Sequence, residues 1–190
     1  MRMLLMIMAA VAVLLVVALL LGVIASYNRL VRLRTQVQAS WAQVDVQLKR
    51  RHSLIPNLVE TVKGYAGHER ETLVAVTAAR AAAADVRGRG PQAQVGAEGA
   101  LTQALGRLFA LAEAYPQLRA SDNFAQLQQE LATTENKIAY ARQFYNSAVQ
   151  SYNTAVQSVP TNLVAGLGKF RPEPYFEAIS GERDDVSVRF

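Results

Sequence analysis

Residues 3–25 read MLLMIMAAVAVLLVVALLLGVIA, a run without a charged or strongly polar side chain. As an α-helix, these 23 residues span about 35 Å, more than the roughly 30 Å hydrocarbon core of a bilayer. An unpaired backbone group costs several kcal/mol in lipid, so a segment inside the bilayer has to be helical. The run therefore predicts a transmembrane anchor at residues 1–26.

A cleaved signal peptide is the alternative interpretation of this run. The apolar region of a signal peptide usually has about 7–15 residues and ends at an Ala-x-Ala-like site. Here the run is longer, and Val23-Ile-Ala-Ser-Tyr27 is a poor cleavage site. Neither Gly nor Pro occurs between Gly22 and Pro56, so no helix-stopping residue follows the run. These features favour an uncleaved anchor whose helix continues from about Met3 to about Arg51 as a rigid stalk.

The net charge of +5 is unevenly distributed along the chain. Between residues 27 and 52, one acidic residue accompanies six basic ones, whereas 13 basic and 14 acidic residues follow. The six are Arg29, Arg32, Arg34, Lys49, Arg50 and Arg51. A nearly neutral domain argues against nucleic acid as a partner, which requires a basic face. We expect lipid head groups near the first three arginines, whereas for the last three basic residues a solvated helix face is the alternative.

Apolar periodicity predicts three helices before residue 115. The first presents one apolar face, made of Leu30, Val37, Trp41, Val44 and Leu48. Because Pro disfavours the α conformation at the residue before it, Ile55-Pro56 predicts a tight reversal at about 52–55. A second helix then extends to about Ala84, a glycine-rich flexible loop covers Asp85–Gly99, and a third helix covers about Ala100–Ala114.

The fourth helix carries two interleaved series of residues spaced seven apart. The larger residues are Phe124, Leu131, Ile138, Tyr145, Tyr152 and Val159, and the smaller series is Leu127, Thr134, Ala141, Ala148 and Ala155. Such a pattern is typical of an a/d-type packing face. The sequence therefore predicts an all-α fold, in which the transmembrane helix continues into a long-helix, up-and-down four-helix bundle at 27–160. A dimeric coiled coil is the alternative.

An extended C-terminal tail is expected at residues 161–190, since Gly and Pro recur after Pro160. Its apolar contact points are Phe170, Tyr175 and Phe176. The final stretch, 180–190, is polar and expected to be disordered.

We find no motif of a known catalytic or metal site in the sequence. His52 and His68 are the only histidines, and neither has the spacing of a metal ligand. There is no Cys, which excludes disulfides and thiolate ligands and leaves the compartment open. A nucleophile motif and a phosphate-binding glycine loop are also missing. We therefore expect no enzymatic activity, no catalytic residue, no metal and no cofactor.

Polar residues instead lie beside the apolar faces. Those placed to form hydrogen bonds across helices and fix their register are Asn57, Asn136, Tyr145 and Tyr152. For Asn146 and Asn153, which follow the two tyrosines, an exposed position is the alternative. In the anchor, Ala18, Gly22 and Ser26 recur every four residues, a spacing at which transmembrane helices pack closely.

Over nearly its whole length, the chain resembles the LemA family. The resemblance is carried by Tyr27-Asn28, by the segment from Ala39 to Arg51, and by Leu54-Ile-Pro-Asn-Leu-Val-Glu-Thr-Val-Lys-Gly-Tyr65. Further matches are His68-Glu69, Thr134-Glu-Asn-Lys-Ile-Ala139, Tyr145-Asn146 and Tyr152-Asn153, whereas Val159-Pro160 departs from the usual Phe-Pro. The resemblance implies a membrane helix followed by a four-helix bundle, and one branch of the family is associated with magnetosome membranes. It brings no catalytic residues.

These features predict a membrane-anchored scaffold that assembles with itself, with the lipid bilayer as a partner. An adaptor that binds a membrane enzyme such as a protease through the bundle face is the alternative. We expect a single-pass protein of the inner (plasma) membrane. Arg29, Arg32 and Arg34 after the anchor outnumber Arg2 before it, so the positive-inside rule favours a cytoplasmic bundle.

Overall fold

The computed structural model describes residues 1–176 of the chain. Within them lie six helices, α1 (Arg2–Tyr65), α2 (Arg70–Asp85), α3 (Pro91–Glu113), α4 (Pro116–Arg119), α5 (Asp122–Gln157) and α6 (Thr161–Leu167), and no strand. The all-α prediction and its long N-terminal apolar helix are confirmed, whereas the up-and-down order of a four-helix bundle stays a prediction. The disorder expected at 180–190 concerns residues outside the described range.

The predicted reversal at 52–55 is wrong. The helix α1 continues through Pro56 to Tyr65, and the turn lies at residues 66–69. A Cβ at Gly67 would lie 3.1 Å from the carbonyl oxygen of Lys63, so this glycine permits the backbone to turn closely past the last turn of α1. The second predicted helix is accordingly shorter and forms α2.

The predicted flexible loop at Asp85–Gly99 is also wrong, because α3 begins at Pro91. Only residues 86–90 connect α2 to α3, and Gly88 and Gly90 adopt φ values of +78° and +93°. Glycine adopts this left-handed backbone without strain. Pro91 occupies the first turn of α3, where its missing N–H leaves no hydrogen bond unmade.

The fourth predicted helix is confirmed as α5. The larger series is buried from Phe124 to Tyr152, but Val159 lies beyond the end of α5 and is 80% exposed. A short helix, α6, occupies the start of the segment predicted to be extended, and residues 168–176, the rest of that segment within the described range, are non-helical. Phe170 and Phe176 are buried, whereas Tyr175 is exposed. The predicted domain boundaries after residues 26 and 160 stay predictions.

The chain divides into two compact units. The first unit comprises Met1–Ala39 and Ser147–Glu173, and the second comprises Ser40–Asn146 and, within the described range, residues 174–176. The buried residues of the first unit include Leu30, Val37, Val149, Tyr152, Val156, Val164 and Phe170. The second unit contains a core cluster to which α1 to α5 all contribute, and its members include Leu58, Val62, Val76, Leu101, Leu108, Leu118, Phe124 and Leu131.

Candidate functional site

A cluster of ionisable side chains lies largely buried inside the second unit. Nη1 of Arg51 donates a hydrogen bond to Oε2 of Glu98 at 2.9 Å, and Nε of Arg51 lies 2.7 Å from Oε1 of Glu135. Nε2 of His52 lies 2.8 Å from the other carboxylate oxygen of Glu98. The side chains of Arg51, His52 and Glu98 are at most 4% exposed. These four residues, the ionic cluster, link α1, α3 and α5, so Arg51 does not lie on a solvated face.

The carboxylate of Glu98 is fully engaged by its neighbours. Both carboxylate oxygens of Glu98 are engaged, and Nη2 of Arg51 donates to Oγ1 of Thr102 at 2.8 Å. The Thr102 hydroxyl in turn donates to the backbone carbonyl of Glu98 at 3.0 Å. Desolvation of buried ions is offset only when such partners are in place. A carboxylate held in this way is not free to act as a general base, so the geometry indicates that the cluster fixes helix register.

A second arginine compensates for the proline inside α1. Pro56 has no N–H, so it cannot donate the helical hydrogen bond to the carbonyl of His52, four residues earlier. Nε of Arg80, on α2, donates to that carbonyl at 2.8 Å. The otherwise unpaired acceptor is thereby satisfied, which explains why α1 passes through Pro56 instead of ending there.

Two asparagines of α5 form hydrogen bonds to the backbone of the chain that follows α6. In the second unit, Nδ2 of Asn146 donates to the carbonyl of Phe176 at 3.0 Å, and N–H of Phe176 donates to Oδ1 of Asn146 at 2.9 Å. In the first unit, Asn153 forms the same pair of bonds with Glu173, at 2.9 and 2.8 Å. Each side-chain amide thus pairs with both backbone groups of one residue, as a neighbouring strand would. The two asparagines therefore do not lie on an exposed face: Asn146 is half-buried and Asn153 is buried.

Phe176 lies in an aromatic group within the second unit. Its ring centroid is 5.8 Å from that of Trp41, and Trp41 in turn packs edge-on against Tyr145 at 5.2 Å. The Arg142 guanidinium lies 4.8 Å from the Phe176 ring centroid, a cation–π geometry. Because Tyr145 also donates its hydroxyl to the carbonyl of Pro174 at 2.8 Å, this part of the tail is held by both backbone and ring contacts.

The profile of the LemA family matches residues 40–190. The chain belongs to the LemA family. The matched residues include the ionic cluster, Arg80 and both asparagines, and the resemblance seen in the sequence is confirmed.

Among curated proteins, the chain is similar to magnetosome proteins and to another LemA-family member. It is 27% identical to Magnetosome protein MamQ 2 of Paramagnetospirillum magneticum over 88% of this chain and 70% of that protein. It is 26% identical to Magnetosome protein MamQ of Magnetospirillum gryphiswaldense over 89% and 71%. Protein LemA of Metamycoplasma hominis is 27% identical over 85% and 73%. None of these names denotes an enzyme, and the family-level comparison supports a membrane-associated protein.

The apolar run at the start of α1 is exposed throughout. By length and composition, α1 is the one helix within residues 1–176 that could cross a membrane. Ala18 and Gly22 are exposed and Ser26 is half-buried, and a Cβ at Gly22 would meet nothing within 4 Å. Arg29, Arg32 and Arg34 are exposed on the same helix, and their contact with lipid head groups stays a prediction.

The four polar residues expected to fix register occupy different settings. Asn57 is exposed inside α1, and Asn136 is exposed on α5. Tyr145 and Tyr152 are buried. Burial raises the pKa of the Tyr152 hydroxyl above its ordinary value, and Glu173 adds to this effect, while Arg34 opposes it. The Tyr152 hydroxyl has no hydrogen-bond partner among the described residues.

An exposed apolar groove lies between α1 and α5 in the second unit. Its lining includes Val46, Tyr140 and Phe144, whose exposed fractions are 60%, 73% and 50%. Exposed apolar surface that includes two aromatic rings is typical of a protein contact site. Among residues 1–176, no group of three or more acidic or histidine side chains could hold a metal ion.

The sequence interpretation missed the ionic cluster because it followed apolar residues alone. Along α1, the spacing Val44, Leu48, His52, Ile55 is helical and continues without a gap through the polar position. On α3, Gln94 and Glu98 extend the spacing of Leu101 back by two turns. Polar residues that continue the spacing of the apolar core residues indicate both the continuation of α1 and the early start of α3.

Proposed function

We propose that this LemA-family protein is a membrane-anchored helical scaffold that assembles with copies of itself. One observation carries the proposal: α1 bears the exposed apolar run of residues 3–25 and, without a break in the helix, the core residues Ile55, Leu58 and Val62 of the second unit. A helix shared in this way couples a folded unit to the bilayer directly. The engagement of both carboxylate oxygens of Glu98 favours a structural role of the ionic cluster over catalysis.

The groove of Val46, Tyr140 and Phe144 is the proposed contact between copies. Burial of these side chains against an identical groove would remove apolar surface from water. The spacing of Ala18, Gly22 and Ser26 offers a second contact inside the membrane. We place the protein in the inner membrane, with the second unit in the cytoplasm.

The test is the mass of the purified full chain in mild detergent, measured by light scattering. We expect a defined homo-oligomer, which Tyr140→Glu combined with Phe144→Glu converts to smaller species. Gln128→Glu, at an exposed position of the same helix, is the matched control and leaves the mass unchanged. A monomeric wild-type protein contradicts self-assembly and favours the adaptor, which would bind a membrane enzyme through the same groove.

Inside the membrane, Gly22→Leu tests the second contact. The variant fills the surface at which helices would approach, whereas Ala12→Leu adds the same side chain at another exposed position of α1. A lower mass for Gly22→Leu alone supports packing at Gly22. Equal masses for the two variants contradict it.

A further inference from the structure

The turn from α5 into α6 presents three large apolar side chains to solvent. Val159, Leu163 and Leu167 are 80%, 69% and 86% exposed. They recur every four residues, so Leu163 and Leu167 share one face of α6. The opposite face is buried through Thr161, Val164 and Ala165. A surface helix normally carries polar residues on its outer face, and α6 carries leucines there instead.

The residues that follow this apolar face pack against α1 just after the end of its apolar run. The Phe170 ring packs edge-on against Tyr27 with 5.4 Å between centroids, and Tyr27 follows the last residue of the run, Ala25, by only two positions. A Cβ at Gly168 would lie 2.6 Å from the Phe170 ring, so this glycine allows the ring its place. Leu167 is three residues from Phe170, a separation of at most about 11 Å between Cα atoms.

The charge of the first unit matches an anionic surface. Its basic residues are Arg2, Arg29, Arg32, Arg34, Lys169 and Arg171, and Glu173 is its only acidic residue. The whole net charge of +5 therefore lies in this unit, since the rest of the sequence is balanced. Lys169 and Arg171 directly follow α6 and are both exposed. Basic residues that border exposed leucines are the pattern of a helix lying in a membrane interface.

We propose that Val159, Leu163 and Leu167 form a second membrane contact, inserted into the interface of the bilayer that α1 enters. The three side chains reach the acyl chains, at a depth of about 5–10 Å typical of interfacial helices, while Lys169 and Arg171 face lipid phosphates. The lipid bilayer, rather than a protein, covers this surface. The inference rests on the proposed membrane anchoring and goes beyond it, because an anchor alone does not require any other part of the chain to touch lipid.

The test uses the full chain, reconstituted in vesicles that contain anionic and zwitterionic phospholipids. Since the chain has no cysteine, Leu163→Cys and Leu167→Cys each provide one attachment point for an environment-sensitive fluorophore. Lipids spin-labelled on the acyl chain near the head group serve as quenchers. We expect at least a twofold loss of emission at both positions, because an interfacial side chain contacts this region of the lipid.

Two further labelled positions make the outcomes distinguishable. Ser151→Cys, exposed on α5 two turns before its end, is expected to emit as in water. Val13→Cys, in the middle of the apolar run, is expected to be quenched by deep spin labels. If Val13 is quenched but positions 163 and 167 emit as in water, the second contact is overturned while the anchor stands. If Val13 also emits as in water, both are overturned. Emission at 163 and 167 that is shielded from water but not quenched by lipid shows that protein covers the face, which also overturns the inference.

Discussion

The carboxylate of Glu98 lies between the side chains of Arg51 and His52, which occupy adjacent positions of α1. Arg51 and His52 point toward it from one turn of helix, and Arg51 also reaches Glu135 on α5. Glu135 is 43% exposed at its side chain, so Glu98 is the main buried counter-charge. Removing its charge leaves the arginine partly uncompensated in a medium that solvates it poorly.

We therefore expect Glu98→Gln to lower the free energy of unfolding by about 3 kcal/mol or more, the usual cost of breaking a buried ion pair. Denaturant unfolding followed by the fluorescence of Trp41, the only tryptophan, measures the change. The matched control is Glu60→Gln, which removes the exposed partner of Lys63 and should cost less than about 1 kcal/mol. Equal losses for the two variants would refute the buried position of the cluster.

Tyr152 gives a prediction for alkaline pH. Its pKa is raised in the folded state, chiefly by burial, so the unfolded chain loses this proton first, from about pH 10. The folded state then binds more protons than the unfolded state, and the free energy of unfolding falls as the pH rises above that value. Tyr152→Phe should lessen this alkaline loss and cost little at neutral pH, since the buried hydroxyl has no partner among the described residues.

Thermal unfolding at neutral and alkaline pH, followed by circular dichroism, measures the effect. Tyr140→Phe, at a position 73% exposed, is the control and should retain the alkaline loss of the wild type. The prediction fails if the wild type and Tyr152→Phe lose the same stability on raising the pH.

Among the elements, α1 and α5 were predictable because apolar residues define them over many turns. The end of α1 and the start of α3 were not, because polar residues take core positions there: His52 and Arg51 on α1, and Gln94 and Glu98 on α3. Pro56 was a misleading local signal, since its effect on the helix is cancelled by Arg80 from a distant part of the sequence. Pairings of this kind depend on the tertiary structure, which local propensity does not contain.

The pairing of Arg80 with the His52 carbonyl predicts a coupling between positions 56 and 80. Arg80→Leu should cost about 1–3 kcal/mol, because it leaves a carbonyl without a partner. In a Pro56→Ala background the backbone N–H at position 56 can donate to that carbonyl, so the cost should be clearly smaller. Unfolding of the wild type, both single variants and the double variant forms the cycle that measures this coupling. A cost of Arg80→Leu that is the same in both backgrounds would disprove the compensation.

At the scale of the whole molecule, the charge distribution predicts the orientation in the membrane. Arg29, Arg32 and Arg34 closely follow the apolar run, which favours a second unit in the cytoplasm. Arg89→Cys places a single thiol in the connection between α2 and α3. Position 89 is chosen instead of the neighbouring position 90, because Gly90 adopts a φ of +93°, at which a residue with a side chain would be strained. We expect a membrane-impermeant thiol reagent to label this variant only after the cells are permeabilised, and labelling of intact cells would reverse the orientation.

Asn146 and Asn153 recognise only atoms that every amino acid except proline possesses. Accordingly, proline stands at 172 and 174 but not at 173 or 176, where the N–H groups are used. A change of side chain at Glu173 leaves both bonds intact, whereas a proline there removes one. The contact between Asn153 and residue 173 therefore depends on the side chain at position 153 but not on the side chain at position 173. We expect position 173 to tolerate far more substitutions than position 153 does.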